Sequence, residues 1–124
     1  MNKNRPVNLD ISTINLPAAA LVSILHRISG VVLFAVVALL LYMLDVSLES
    51  EQGFAKVAAV FDSTPVKLVL WAGLAALIYH LAAGIRHLLM DMGIGESLEG
   101  GRRGAVLVLA VSAVLILLAG VWLW

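Results

Sequence analysis

The sequence has no cysteine and few charged residues, with eight basic and eight acidic side chains making up 13% of the chain. Without cysteine the chain cannot form disulfides, cysteine-ligated iron–sulfur clusters or a thioether-linked haem. The balanced charge provides no basic surface for nucleic acid. Hydrophobic residues, in contrast, make up 62% of the chain, whereas roughly 45–50% is usual in soluble domains. This composition indicates an integral membrane protein.

Three apolar segments are each long enough to cross a bilayer, which takes about 20 residues per helix. We therefore predict an all-α membrane protein with an N-terminal arm over residues 1–19 and a three-helix anchor over residues 20–124. The three helices are expected over residues 20–44, 65–90 and 104–124. The stretch ESLEGGRR, from Glu96 to Arg103, is expected to be a solvated turn. The polar N-terminus is not typical of a cleaved signal peptide, so we expect the first helix to be retained.

Basic residues beside the helix ends predict the orientation, because short loops rich in Lys and Arg stay in the cytoplasm. One side of the predicted membrane carries four such residues: Lys3, Arg5, Arg102 and Arg103. The opposite side carries two, both close to acidic residues: Lys56 and Lys67. We therefore expect a cytoplasmic N-terminus and a C-terminus outside. Three tryptophans then fall near the outer interface, as in an aromatic belt: Trp71, Trp122 and Trp124.

The most informative single residue is His80, in the middle of the second apolar segment. An ionisable side chain at this depth costs about 2.5–3.5 kcal/mol on insertion scales, so a functional reason for it is expected. The lone pair of a neutral imidazole can bind a metal. Ala76, Ala83 and Gly84 flank His80 on one stripe of the helix. This stripe is consistent either with a groove for a flat ligand or with helix–helix packing.

Two further histidines lie nearer the cytoplasmic side, His26 on the first helix and His87 on the second. At 1.5 Å per residue, His87 lies about 10 Å from His80 along the helix, too far for both to bind one ion. The same estimate places His26 too shallow to reach the level of His80. The sequence thus predicts one deep ligand, and a six-coordinate site would need a second chain.

Polar residues around these histidines form a band near the cytoplasmic boundary. Ser23, His26 and Arg27 share one face of the first helix because of their i, i+3, i+4 spacing. Arg27 could pair with carboxylates, and Ser23 with Arg27 could donate hydrogen bonds to a quinone. Ordinary explanations stay open as well. The Arg side chains could extend to lipid headgroups, Ser23 could cap its helix, and Asp91 could pair with Arg86 or Arg27.

Two stretches carry a specific family resemblance. The first combines Arg5-Pro6-Val7-Asn8-Leu9-Asp10 with Ser23-Ile24-Leu25-His26-Arg27-Ile28-Ser29-Gly30. The second is His80-x3-Gly84-Ile85-Arg86-His87, continuing to Asp91-x-Gly93. Read together, they resemble the cytochrome b556 subunits of succinate dehydrogenase, the larger membrane anchor of respiratory complex II in proteobacteria. The resemblance covers essentially the whole chain.

The resemblance implies a role for each matching position. His80 would be one axial ligand of a single haem b, and the other axial histidine would come from a second, smaller anchor subunit. Ser23 and Arg27 match ubiquinone-binding positions. The remaining matches would lie around the haem and its propionates: His26, Arg27, Arg86, His87 and Asp91.

The same resemblance implies that the chain passes electrons from succinate oxidation to ubiquinone in a bacterial inner membrane. It would anchor the flavoprotein and iron–sulfur subunits, the latter beside the Arg5-Pro6 arm, and would catalyse nothing alone. A fumarate reductase-type anchor is a close alternative. A proton-relay or transport subunit without haem, and a haem-free structural protein with His80 in its core, are alternatives from other classes.

Overall fold

The structure, a computed structural model, describes residues 6–124, so that Lys3 and Arg5 lie outside the described residues. After a short 3₁₀ turn at Ile11–Thr13, the described chain forms four α-helices. Their bounds are α1 at Ala18–Glu49, α2 at Glu51–Phe61, α3 at Thr64–Asp91 and α4 at Leu98–Leu123. Helices α1, α3 and α4 are long and apolar enough to span a membrane. The prediction of an all-α protein with three transmembrane helices is confirmed.

Helix α3 lies between α1 and α4 and contacts both. The contact surfaces are made of small residues, with a core of Val22, Ala83, Ala105 and Val108. Large apolar side chains point outward instead, and Phe34 is 82% exposed. This arrangement is typical of membrane bundles, where lipid covers the outer face and small residues let the helices approach closely.

Helix α2 is an element that the sequence prediction did not include. It begins at Glu51 and is capped by Ser50, whose hydroxyl accepts a hydrogen bond from the Gly53 N–H at 2.9 Å. Its apolar side, which includes Val57 and Phe61, faces Met43 at the end of α1. The pattern was visible in the sequence, because Phe54, Val57, Ala58 and Phe61 recur at the spacing of one helix face.

The start of α4 corrects the prediction of a turn from Glu96 to Arg103. The helix already begins at Leu98, because the Ser97 hydroxyl accepts a hydrogen bond from the Gly100 N–H at 3.0 Å and caps its first turn. Glu99 in that turn pairs with Arg103 one turn later. Gly100 is needed for packing, since a Cβ there would lie 3.1 Å from the Gly95 Cα. Gly100 and Gly101 thus lie inside the first turn of the helix.

The two ends of the bundle differ in chemistry. One end, called here the tryptophan end, joins α3 to α4 through the Trp71 Nε1–H, which donates to the Ile116 carbonyl at 2.8 Å. There the Trp71 and Trp124 rings meet edge to face with centroids 6.3 Å apart. The opposite end, called here the cationic end, carries Arg27 and Arg86 beside the exposed Arg102 and Arg103.

Candidate functional site

His80 lies near the middle of α3 with its ring against α1. Its Nδ1 is 3.0 Å from the Ser29 hydroxyl oxygen and 3.2 Å from the His26 carbonyl oxygen. Gly30 provides the flat surface beneath the ring, because a Cβ added there would be 3.3 Å from the His80 Cε1. The imidazole is thus held by two polar contacts and one close apolar contact.

These contacts fix which nitrogen of His80 carries the proton. A carbonyl oxygen can only accept a hydrogen bond, so the contact with the His26 carbonyl requires an N–H at Nδ1. The lone pair is then on Nε2. Within residues 6–124 the side-chain hydrogen bonds of His80 all involve Nδ1, and Nε2 is not among the buried polar atoms that lack a partner. His80 therefore presents a free lone pair at the surface of this chain.

His26 reaches His80, which corrects the depth argument from the sequence. The two rings stack with centroids 4.2 Å apart and an interplanar angle of 22°. The His26 Nε2 lies beside Gly84, since a Cβ added there would be 3.5 Å from it. Gly84 is four residues from His80, or about 6 Å along the helix axis. The argument failed because two imidazole side chains together span that distance.

The stacked pair still cannot bind one ion. A ring nitrogen directs its lone pair in the plane of the ring, and a bound ion lies about 2.0–2.1 Å away. Two nearly parallel rings 4.2 Å apart cannot both aim at such a point. Within residues 6–124, no group of three or more His, Cys, Asp and Glu side chains converges as a metal site.

The small-residue stripe beside His80 serves helix packing at two of its three positions. Ala83 is buried in the core between the three spanning helices, and Gly84 faces the His26 ring. The Tyr79 hydroxyl reinforces the same contact by donating to the Val22 carbonyl at 2.8 Å. The groove for a flat ligand therefore does not run over Ala83 and Gly84.

A cleft at the cationic end brings together most of the predicted site residues. It has a volume of about 170 Å³ and lies between α1 and α3. Its polar lining consists of Ser23, His26, Arg27, Arg86 and His87. Val22 and Ala83 complete the lining. Ser23 lies in the second turn of α1, which begins at Ala18, so the alternative that Ser23 caps this helix is wrong.

The two arginines of this cleft differ in their contacts. Arg86 lies against α4 and donates from Nη2 to the Gly101 carbonyl at 3.0 Å, while its Nε is buried without a partner. A Cβ on Gly104 would be 3.2 Å from that Nε. Arg86 is therefore packed between helices rather than extended towards headgroups. Arg27 is exposed and belongs to none of the ion pairs formed within residues 6–124.

The acidic residue of the predicted set pairs differently from expectation. The Asp91 carboxylate lies 3.7 Å from the His87 Nε2, one helical turn away, and both side chains are largely exposed. The alternative that Asp91 pairs with Arg86 or Arg27 is therefore wrong. The helical i, i+4 relation between His87 and Asp91 is sufficient to explain the contact.

Ser29 is the site residue that sequence reasoning missed. It is 6% exposed and touches both the His26 carbonyl and His80. Its position three residues after His26 gave the signal, because such a hydroxyl reaches back to the carbonyl of the preceding turn. The contact with His80 depends on how α1 and α3 meet, which spacing along one helix does not reveal.

Three helices long and apolar enough to span a membrane, with His80 at the contact between two of them and a cationic cleft at one end, define an integral membrane protein. The family model described as the succinate dehydrogenase/fumarate reductase transmembrane subunit matches residues 1–119. The chain therefore belongs to this family. Its spans and its family make it a multi-pass inner-membrane protein.

The chain is similar to relatives named succinate dehydrogenase cytochrome b556 subunit. That of Coxiella burnetii is 45% identical, with 100% of both chains covered. That of Paracoccus denitrificans is 36% identical over 93% of this chain and 88% of its own. A cytochrome b560 subunit from Porphyra purpurea is 30% identical over 79% of this chain and 80% of its own. The resemblance to the cytochrome b556 subunits is thereby confirmed.

Proposed function

We propose that this chain anchors succinate dehydrogenase in the membrane, binds one haem b through His80 and forms part of the ubiquinone site. The observation that carries the proposal is the state of His80. Its Nδ1–H is held by the His26 carbonyl and the Ser29 hydroxyl, which leaves the Nε2 lone pair free. Such anchoring of the distal nitrogen is the usual arrangement for a metal-bound histidine. When bound, the haem supplies one-electron chemistry.

A second anchor subunit supplies the other axial histidine in this proposal. His26, the nearest imidazole of the same chain, is stacked face to face on His80 and cannot aim at the same ion. The size of the cleft also indicates that a second chain contributes to the site. At about 170 Å³ it is smaller than the roughly 300–1,000 Å³ of ordinary ligand pockets, so a partner chain completes its walls.

The quinone site is proposed at the cationic end. Ser23 and Arg27 are both exposed and line the cleft. A hydroxyl and a guanidinium together donate hydrogen bonds to the carbonyl oxygens of ubiquinone. Arg27 and His26, which line the same cleft, would pair with the propionates of the haem, with Arg86, His87 and Asp91 around them.

The cationic end faces the cytoplasm in this proposal. That end carries four arginines, Arg27, Arg86, Arg102 and Arg103, whereas the opposite end carries Lys56 and Lys67. Short loops rich in Lys and Arg stay on the cytoplasmic side of a membrane. The arm that precedes α1 would then contact the iron–sulfur subunit, which sits beside the flavoprotein. Its side chains Val7, Leu9 and Ile11 are at least 78% exposed, as expected of a surface that a partner covers.

The proton-relay alternative fits the site less well. Three imidazoles do follow one another from the middle of α3 to the cationic end, with His26 4.2 Å from His80 and 6.5 Å from His87. A relay needs nitrogen atoms joined by hydrogen bonds. His26 and His80 instead stack through their faces, and the His80 Nδ1 is committed to a carbonyl.

The deciding experiment is a reduced-minus-oxidised absorption spectrum of the purified complex. His80→Ala should abolish the low-spin b-type signal. Ser112→Ala, which removes a buried polar atom elsewhere in the bundle, should leave the signal intact. In His80→Gly, added imidazole should restore part of the signal because it can occupy the vacated volume. An unchanged haem signal in assembled His80→Ala complex would falsify the proposal.

A further inference from the structure

We propose that Ser29 is a positioning residue for His80 that sets the electron-donating strength of its Nε2. The inference rests on the proposed function, in which Nε2 is a haem ligand. Ser29 lies on α1 and is 6% exposed. Its hydroxyl oxygen is 2.7 Å from the His26 carbonyl oxygen and 3.0 Å from the His80 Nδ1.

The direction of each hydrogen bond in this cluster follows from its chemistry. The His26 carbonyl has only lone pairs, so the single hydroxyl proton of Ser29 is donated to it. The Ser29 oxygen then has lone pairs left and accepts from the Nδ1–H of His80. That N–H is shared, because the same carbonyl also lies 3.2 Å from Nδ1. Ser29 thus links the two contacts into one small network.

The network acts on the metal-binding side of the ring. Acceptors on the distal N–H of a coordinating histidine fix its tautomer and orientation and increase its basicity. A more basic imidazole stabilises the oxidised iron and lowers the reduction potential, which is one of the protein's means of tuning a haem. The network lies in the apolar interior, where such bonds are stronger than in water.

A packing role for Ser29 explains less of the geometry. Serine hydroxyls in helices often bond the carbonyl of the preceding turn, and Ser47 does so on the same helix, donating to Leu44 at 2.7 Å. Such a bond needs no other helix. Ser29 has the additional contact with His80, and the adjacent Gly30 leaves room for the ring to approach. Ser29 and Gly30 together form the surface of α1 on which the His80 ring packs.

The test is a potentiometric titration of the haem in the intact complex. Ser29→Ala should retain the haem but raise its midpoint potential, because one acceptor at Nδ1 is lost. Ser29→Thr, which keeps the hydroxyl, should restore a potential close to the original. Ser47→Ala is the matched control, since it removes the same type of helical hydrogen bond without touching a histidine. Its potential should be unchanged.

Each possible result either supports or overturns the role of Ser29. Equal potentials in the original protein, Ser29→Ala and Ser47→Ala would overturn the role of Ser29. If Ser29→Ala does not assemble, Ser29→Cys replaces it, because cysteine keeps the branching of serine while its sulfur is a much weaker acceptor. The proposed function fails separately: haem retained by His80→Ala refutes the ligand and with it this inference. Haem lost in that variant, with an unshifted potential in Ser29→Ala, refutes this inference alone.

Discussion

His26 and His80 stack across the contact between α1 and α3, with ring centroids 4.2 Å apart. Each ring lies over a glycine of the opposite helix, His80 over Gly30 and His26 over Gly84. The two helices therefore meet through a reciprocal pair of histidine–glycine contacts. This arrangement explains how two imidazoles fit into a helix contact that otherwise consists of small residues.

The two glycines should respond differently to alanine. A Cβ on Gly30 would lie 3.3 Å from the His80 Cε1 and would turn the ring, whereas one on Gly84 would make an ordinary contact of 3.5 Å with His26. Moving a side chain off its rotamer costs about 0.5–1.5 kcal/mol, so Gly30→Ala should weaken haem retention by about 2- to 10-fold. Gly84→Ala is its control and should retain haem. Haem content per purified complex measures haem retention in both variants. Equal retention would contradict the proposed packing of the His80 ring on Gly30.

The N-terminal arm contains one carboxylate with a shifted pKa. Hydrogen bonds from the Ser12 hydroxyl and then from its backbone N–H lower the pKa of Asp10 below the ordinary value of 3.8. The ionised carboxylate is the form that accepts these bonds, so they stabilise the turn above that ordinary value. Their contribution is lost as the pH falls through the lowered pKa of the folded turn.

Ser12→Ala should therefore raise the Asp10 pKa towards its ordinary value. Thr13→Val is the matched control, because the Thr13 hydroxyl donates to the backbone carbonyl of Asp10 rather than to its carboxylate. The carboxyl carbon resonance of labelled Asp10, followed through pH in the complex, gives both values. Equal pKa values in Ser12→Ala and the original protein would show that the turn is held differently.

The sequence predicted features that depend on one helix at a time. Segment length located the three spans, and spacing placed Ser23, His26 and Arg27 on one face, where the cleft indeed brings them together with Arg86 and His87. The sidedness of the membrane and the roles of these residues stay predictions. Helix α2 could also have been predicted from the spacing of Phe54 and Phe61, but the polar residues around them made this apolar face less evident.

Features that depend on two helices were not predictable in the same way. The depth estimate compared backbone levels and ignored the length of two imidazole side chains, so it wrongly predicted that His26 does not reach His80. Ser29 was overlooked because its second contact crosses to α3. The alternative that Arg86 extends to headgroups was left open, yet the glycines of α4 leave space for Arg86 between the helices. All three cases depend on how far side chains reach across a contact between two helices, which spacing along one helix does not reveal.

The tryptophan end should affect stability without affecting the site. Trp71→Phe removes the donor to the Ile116 carbonyl at 2.8 Å, which should lower stability by about 1 kcal/mol. The rate of heat inactivation of the purified complex should rise accordingly. The haem spectrum and quinone kinetics should not change, because the cleft lies at the opposite end. Trp122→Phe, at an exposed position, is the control, and equal inactivation rates in both variants would contradict the role of this bond.

Ser23 and Arg27 should matter for quinone and not for succinate. Losing one neutral hydrogen bond costs about 1 kcal/mol, so Ser23→Ala should raise the KM for ubiquinone about fivefold. A charged donor contributes about 1.5–3 kcal/mol, so Arg27→Ala should raise this KM further. Succinate oxidation by an artificial dye that bypasses the quinone site should stay unchanged. Arg103→Ala is the matched control, because Arg103 is an exposed arginine at the same end that pairs with Glu99. Parallel losses in the dye and quinone assays would indicate damaged assembly instead, and an unchanged KM in both variants would place the quinone elsewhere.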